Sequence, residues 1–265
     1  MITVQDLCKA FGRQKVLKGI STRFEQGKTN LIIGQSGSGK TVFMKCLLGL
    51  AAPTSGQIHF DGTDYQSMSG DQRAALRSAI GTVFQGSALF DSMNVEENVR
   101  FPLEMFKRAS QAEMKKRVHE VLERVNLSGQ HKKLPSELSG GMKKRVAIAR
   151  AVVARPKYLF CDEPNSGLDP KTAIVIDNLI QEITQEYNTT TIINTHDMNS
   201  VLEIGQKIIY LKDGVKAWEG DYHSILSDDN QAIREFVCSS NLMHKVKDAF
   251  SKEAGRGPRG GRPLP

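Results

Sequence analysis

Thr29 to Leu50 reads TNLIIGQSGSGKTVFMKCLLGL, a β-rich run, a glycine cluster and an apolar stretch with the look of a buried helix. Within it, Gly34-Gln-Ser-Gly-Ser-Gly-Lys40-Thr41 fits the pattern G-x-x-x-x-G-K-[ST] between strand and helix, where that pattern carries meaning. Glycines let such a loop curl until successive backbone N–H groups face inward, toward phosphate oxygens. A helix starting near Lys40 aims the positive end of its dipole at the same charge. Lys40 is then placed for the β- and γ-phosphates, and the Thr41 hydroxyl for Mg²⁺. The stretch predicts a nucleotide site on an α/β fold.

Working outward, AIGTVFQ (Ala79 to Gln85), YLFCDE (Tyr158 to Glu163) and TTTIINTHD (ending at Asp197) read as further strands. KIIYLKDGVKAWEG reads as a hairpin turned by Asp213-Gly214. Helical periodicity places Met114, Val118, Val121, Leu122 and Val125 on one face, and Ile176, Leu179, Ile180 and Ile183 on another. Alternating strands and helices predict a mainly parallel sheet covered by helices. Residues from about 87 to 155 are helical without a clear strand and read as an insertion.

The second chemical element is Asp162-Glu163, at the carboxyl end of a wholly apolar strand, where open α/β sheets present functional groups. Asp162 suits Mg²⁺, through water, and Glu163 the polarisation of an attacking water. Neighbouring residues on a strand face opposite sides, so both carboxylates reach one site only through a bend, for which Pro164 supplies a reason. A third element, Leu138-Ser-Gly-Gly-Met142, opens the helix MKKRVAIARAVVA. Ser139 and two glycines at a helix start make a second anion site.

Two phosphate devices separated by a helical insertion resemble the nucleotide-binding subunit of an ABC transporter. The resemblance implies a P-loop NTPase of the ABC ATPase type: a mainly parallel sheet core, an antiparallel β portion and an inserted α-helical subdomain. It implies a nucleotide-binding domain over 1–225, with its helical subdomain at about 87–155, and a C-terminal extension over 226–265 with residues 255–265 disordered. ATP contacts fall on Phe11, Val16, Gly34, Ser36, Gly37, Ser38, Gly39, Lys40, Thr41 and Val42. Gln85, Glu163 and His196 are the catalytic set, and Thr41, Gln85 and Asp162 the Mg²⁺ set. Ser139, Gly140, Gly141 and Asp169 contact the ATP of the opposite subunit in a homodimer. Met142 stands where the family usually has Gln. Asp169 before Pro170 is also a good helix N-cap.

The stretch FQGSALFDSMNVEENVRFPL, Phe84 to Leu103, puts Leu89, Phe90 and Met93 beside Gln85. These apolar side chains either close the helical core or fill a pocket for an integral-membrane permease, and the segment as a whole favours the permease. With LSGGMKKRVAIARA and DEPNSGLDP, its wording is most similar to the Mla-type, Mce-associated phospholipid-transport ATPases of double-membraned bacteria. That implies phospholipid or another hydrophobic cargo, an Mce-type lipid-binding protein in the complex, and a peripheral site on the cytoplasmic face of the inner membrane. Amino-acid importer ATPases share much of the pattern and are the alternative.

The bulk numbers agree. The chain has 265 residues, is 39% hydrophobic and 25% charged, and lacks an apolar run long enough to span a bilayer. Of the net charge of +7, residues 241–265 carry +4, from six Lys or Arg against Asp248 and Glu253. No basic stripe with interleaved aromatics remains in the rest, so nucleic acid is not expected as a partner. Cys8, Cys46, Cys161 and Cys238 are scattered and read as reduced thiols. A DNA-repair ATPase of this type would carry coiled-coil or zinc insertions, and an ABC translation factor two such domains.

Overall fold

The run ahead of the glycine cluster forms strand β3 (Thr29–Ile33), with all five residues buried. A strand apolar on both faces needs cover on both, and the rest of the fold supplies it. The structure, a computed structural model, describes residues 1–106 and 110–238. Expectations for the basic tail, and for disorder over 255–265, lie outside the described residues.

β3 sits inside a six-stranded sheet, between β8 (Thr190–Thr195) and β9 (Lys207–Lys212); β7 (Tyr158–Asp162) and β6 (Ile80–Val83) follow β8, and β10 (Val215–Gly220) lies outside β9. The β6, β7, β8, β3 and β9 pairings are parallel, and β10 alone runs antiparallel, to β9. Asp213 and Gly214 both have positive φ, 52° and 81°, as a tight hairpin turn requires. The register pairs Asp162 with Asn194 at the carboxyl ends of β7 and β8.

The antiparallel portion is a separate four-stranded sheet made from β1 (Ile2–Phe11), β2 (Gln14–Phe24), β4 (Ser55–Phe60) and β5 (Thr63–Asp64), in the order β2-β1-β4-β5. Its inner face (Ile2, Val4, Leu7, Leu17, Ile20, Phe24, Ile58) closes over helix α1 (Lys40–Leu47) and one face of the large sheet. Phe43 of α1 stacks 6.0 Å from Phe24, and Phe60 meets Tyr158 edge-on at 5.1 Å. α1 is shorter than the apolar run suggests. It ends at Leu47, and Gly49 turns the chain with φ 71°.

α2 (Gly70–Ser78) precedes β6 and packs Leu76 against the cluster on the α1 side, and helices cover the other face: α3 (Val95–Met105), α4 (Gln111–Arg124) and α5 (Gly140–Val152) lie between β6 and β7. Then come α6 (Pro170–Tyr187), α7 (Met198–Ile204) and α8 (Gln231–Cys238). The apolar faces expected on α4 and α6 are all buried. Reciprocal caps start α3 at Asn94 with Glu97 and α4 at Ser110 with Glu113. Ile233, Phe236 and Val237 of α8 join this chain's own core, with Phe236 stacked 4.8 Å from Tyr210. Residues 231–238 thus dock on this chain's own core.

Candidate functional site

The glycine loop is shaped at its two ends by contacts that leave no room for side chains on Gly34 and Gly39. A Cβ on Gly34 (φ 154°) would lie 2.4 Å from the Leu211 carbonyl oxygen and 2.6 Å from Ser38 Oγ. A Cβ on Gly39 (φ 105°) would meet Leu17 at 2.9 Å and the Val16 carbonyl at 3.4 Å, which puts Val16 beside the start of α1. From the far side, the Gly214 amide donates to the Ser38 carbonyl at 3.2 Å, so the β9–β10 turn props the loop. The first helical bond of α1 runs from Phe43 N–H to the Gly39 carbonyl, so the amides of residues 39–42 head the helix without an intrahelical acceptor.

Lys40 is buried, and its ammonium folds back to donate to the carbonyls of Gly34 (2.6 Å) and Gln35 (3.1 Å). Burial pulls its pKa below the usual lysine range, against the opposing pull of the Glu163 and Asp162 carboxylates. Ser38 Oγ is buried with no hydrogen-bond partner, while Ser36 and Gly37 are exposed and Val42 is half-buried. A curled loop with forward-facing amides, a desolvated cation and an orphaned hydroxyl is suited to a polyanion.

Opposite the loop, β7 stops at Asp162, and Glu163 takes φ 46°. This left-handed residue is the bend the two carboxylates need, so the break falls at Glu163 itself, ahead of Pro164. It is held by its own N–H donating to the Asn194 carbonyl (2.9 Å) and by Ser166 N–H donating to its carbonyl (3.2 Å). One Glu163 carboxylate oxygen accepts from the Gln85 side-chain amide at 3.1 Å, and the other lies 2.8 Å from His196 Nδ1. Three residues far apart in sequence therefore meet in one hydrogen-bonded group. Asp162 turns the other way and accepts from Asn194 Nδ2 at 3.0 Å. It shares a cavity of about 60 Å³ with Thr41.

The second anion device sits at the start of α5. Ser139 is its N-cap, with Oγ accepting from Met142 N–H at 3.3 Å, which leaves the hydroxyl hydrogen free to donate outward. Asp169 caps α6 through Thr172 and Pro170 occupies the first turn, so its structural reading holds. The two helix starts pack together: a Cβ on Gly140 would touch Leu168 at 3.6 Å, and one on Gly141 would press Thr172 at 2.9 Å. Ser139, Gly140 and Asp169 are exposed and Gly141 half-buried, and together they form a surface at the paired starts of α5 and α6. The sequence pattern of the ABC transporter family matches residues 17–166. The chain belongs to that family.

Relatives agree on the family and differ in cargo. The "probable ribonucleotide transport ATP-binding protein mkl" of Mycobacterium leprae is 36% identical over 89% of this chain and 68% of its own length. The "methionine import ATP-binding protein MetN" of Clostridioides difficile is 35% identical over 96% of this chain and 80% of its own length. Among solved structures, the MJ0796 cassette in a post-hydrolysis dimer with ADP and Pi superposes with a TM-score of 0.75 at 33% identity, covering 84% of this chain and 99% of that one. This chain therefore carries an ABC ATPase domain.

Within that ATPase domain, Phe11 is 53% exposed, with the Lys9 ammonium 4.7 Å above its ring, so it is a surface aromatic with a free face and not a core residue. The apolar segment after Gln85 divides. Leu89 packs onto the core and Met93 is half-buried, its carbonyl accepting from Asn98. Phe90 is 40% exposed and stacks on Phe101 at 4.8 Å. With Phe84, Leu50, Ile80, Met105 and Arg150 it lines a largely apolar groove of about 750 Å³. Of the three, left open one by one between core and partner, Phe90 is exposed and Leu89 packs on the core.

Three residues of the site escaped the sequence reading. Asn194 bridges to Asp162, Arg150 donates to the carbonyls of Ser87 and Ala88 (2.8 Å each), and Lys144 bonds the carbonyls of Gln85 and Glu163. The signal was present for the last two: both are charged residues in a helix whose residues from Val146 to Val152 are otherwise small or apolar and buried.

Proposed function

We propose that this chain is the ATP-hydrolysing subunit of a transporter that moves phospholipid, or another hydrophobic molecule, between the inner and outer membranes through a separate permease. One observation carries the coupling half of this reading. The loop that presents Gln85 to Glu163 at one end lines the apolar groove with Phe84, Ala88 and Phe90 at the other. A short apolar helix of the permease seated there would press directly on the loop that touches the catalytic carboxylate. No helix among the described residues is long and apolar enough to cross a membrane.

In the reaction, Glu163 takes a proton from the attacking water as its oxygen bonds the γ-phosphorus. The bond between that phosphorus and the bridging oxygen breaks, and ADP leaves as phosphate is released. Gln85 and His196 hold the two carboxylate oxygens in place. The hydroxyl of Thr41, the carboxylate of Asp162 and the side-chain carbonyl of Gln85 are hard oxygen donors that suit Mg²⁺, which would neutralise phosphate charge. Phe11 stacks on the base, and Val16 and Val42 flank the nucleotide. The exposed Ser139–Gly140 and Asp169 surface fits the nucleotide of a second copy, a reading in keeping with the dimeric, ADP- and Pi-bound state of the MJ0796 cassette.

The lipid cargo is supported by the wording of Phe84 to Leu103, and an Mce-type lipid-binding protein would belong to the complex at the inner membrane's cytoplasmic face. Import of an amino acid, as the MetN name suggests for that relative, is the second reading. Detergent purification of the chain from its native membranes separates them. A co-purifying permease with bound phospholipid supports the proposal; a permease with a soluble amino-acid-binding partner favours the second, and nucleic acid or ribosomes would overturn both. Glu163→Gln should keep ATP binding and abolish turnover in that complex, and full turnover would remove Glu163 from its role.

A further inference from the structure

Lys144 sits one and a half turns into α5, the helix that starts at Ser139, and is only 5% exposed. Its ammonium donates to the main-chain carbonyl of Gln85 and, at 3.4 Å, to that of Glu163. The Gln85 side chain in turn donates to the Glu163 carboxylate at 3.1 Å. These contacts close a ring: Lys144 holds both backbones, and the two side chains meet across from it. Burial pulls the Lys144 pKa below the usual lysine range, so the cation is kept there at a cost in solvation.

That cost has a geometric return. Glu163 leaves the β ladder at φ 46°, and Gln85 lies past the end of β6, so neither carbonyl has a strand partner fixed by the sheet. One side chain that serves two carbonyls needs several hydrogens and a flexible reach, which an ammonium has and an apolar side chain lacks. α5 also binds the groove loop further along, where Arg150 holds Ser87 and Ala88.

We propose that Lys144 is a positioning residue for ATP hydrolysis: it sets the spacing of Gln85 and Glu163, so that the aim of the Glu163 carboxylate follows the placement of α5. This rests on the reading of Glu163 as the base. The test uses the full-length chain and steady-state ATPase rates, a fluorescent ATP analogue for affinity, and thermal unfolding. Lys144→Met, of similar length without charge or donors, should lower kcat by about tenfold or more, a part of the ~10²–10⁴ that a positioned general base contributes. KM and analogue affinity should stay within about twofold, since the groups that hold the phosphates are elsewhere.

A kcat within twofold of wild type overturns the proposal, as does a parallel loss of kcat, affinity and melting temperature. Should Lys144→Met fail to fold, Lys144→Leu, likewise apolar and without donors, carries the same test: a lowered kcat at unchanged KM supports the proposal, and a wild-type kcat overturns it. Glu163→Gln is assayed alongside. If it stays active, the base assignment fails; if it is inactive while Lys144→Met turns over normally, only the role of Lys144 is lost.

Discussion

Asp177→Asn offers a quantitative test of the packing behind the site. Asp177 lies on α6 and is 2% exposed. One carboxylate oxygen accepts from Ser200 Oγ (2.7 Å) and Asn165 Nδ2 (3.1 Å), and the other is buried without a partner. Burial, with smaller repulsions from Asp197 and Glu203, outweighs those two bonds and pushes its pKa from 3.8 up to about 6. A shift of about two units corresponds to ~3 kcal/mol. The folded state holds this proton more tightly than the unfolded chain, so the stabilisation is complete below pH 4 and is lost as pH rises through 6. Asn keeps an acceptor for both donors and never ionises. Stabilities of wild type and variant, measured by urea unfolding between pH 4 and pH 8, should therefore converge at the acid end and differ by ~3 kcal/mol in favour of the variant at the alkaline end. Asp61 titrates oppositely: burial is outweighed there by bonds to Lys157, the N-terminal ammonium and Tyr158, which hold it at about 2. It is common to both proteins and cancels in the difference. A difference that is flat with pH, or that grows toward acid, would refute the reasoning.

Phe11→Ala should leave the melting temperature unchanged, since the ring is half exposed, and weaken ATP binding by the ~1–3 kcal/mol that a base gains from an aromatic face. Equilibrium titration checks it, and an unchanged affinity would place the base elsewhere. Gly34→Ala drives a Cβ to 2.4 Å from a backbone carbonyl, so it should cost ~1–3 kcal/mol of stability and abolish nucleotide binding. Gly37→Ala meets nothing within 4 Å and carries only the ~1–2 kcal/mol strain of its φ of 81°. Retained nucleotide binding in Gly34→Ala would contradict the steric account of the loop.

Legibility followed the range over which each signal acts. The glycine loop, the hairpin at Asp213-Gly214 and the buried faces of α4 and α6 were readable because glycine φ and the 3.6-residue period are properties of a few neighbouring residues. β1, β2 and β4 carried the antiparallel sheet without announcing themselves residue by residue. They alternate burial on one face only, and the partners that β1 and β4 find in each other, from Ile2 with Phe60 to Cys8 with Ser55, lie far apart in the chain. Met142 shows the same limit: as a departure from the usual motif it was visible, but only packing places it half-buried against the core.

By itself the sequence pointed to a nucleotide-binding chain of the ABC type and to two candidate phosphate sites, with the residue types that stand at each. Tertiary structure alone decided that Gln85, Glu163 and His196 share one hydrogen-bonded group, that Lys144 and Arg150 tie α5 to the loop between site and groove, and that Phe90, not Leu89, faces outward. Those facts depend on strand order and on a left-handed break at Glu163. Both are set by how helices and two sheets bury their apolar faces together, a global condition that no local spacing encodes.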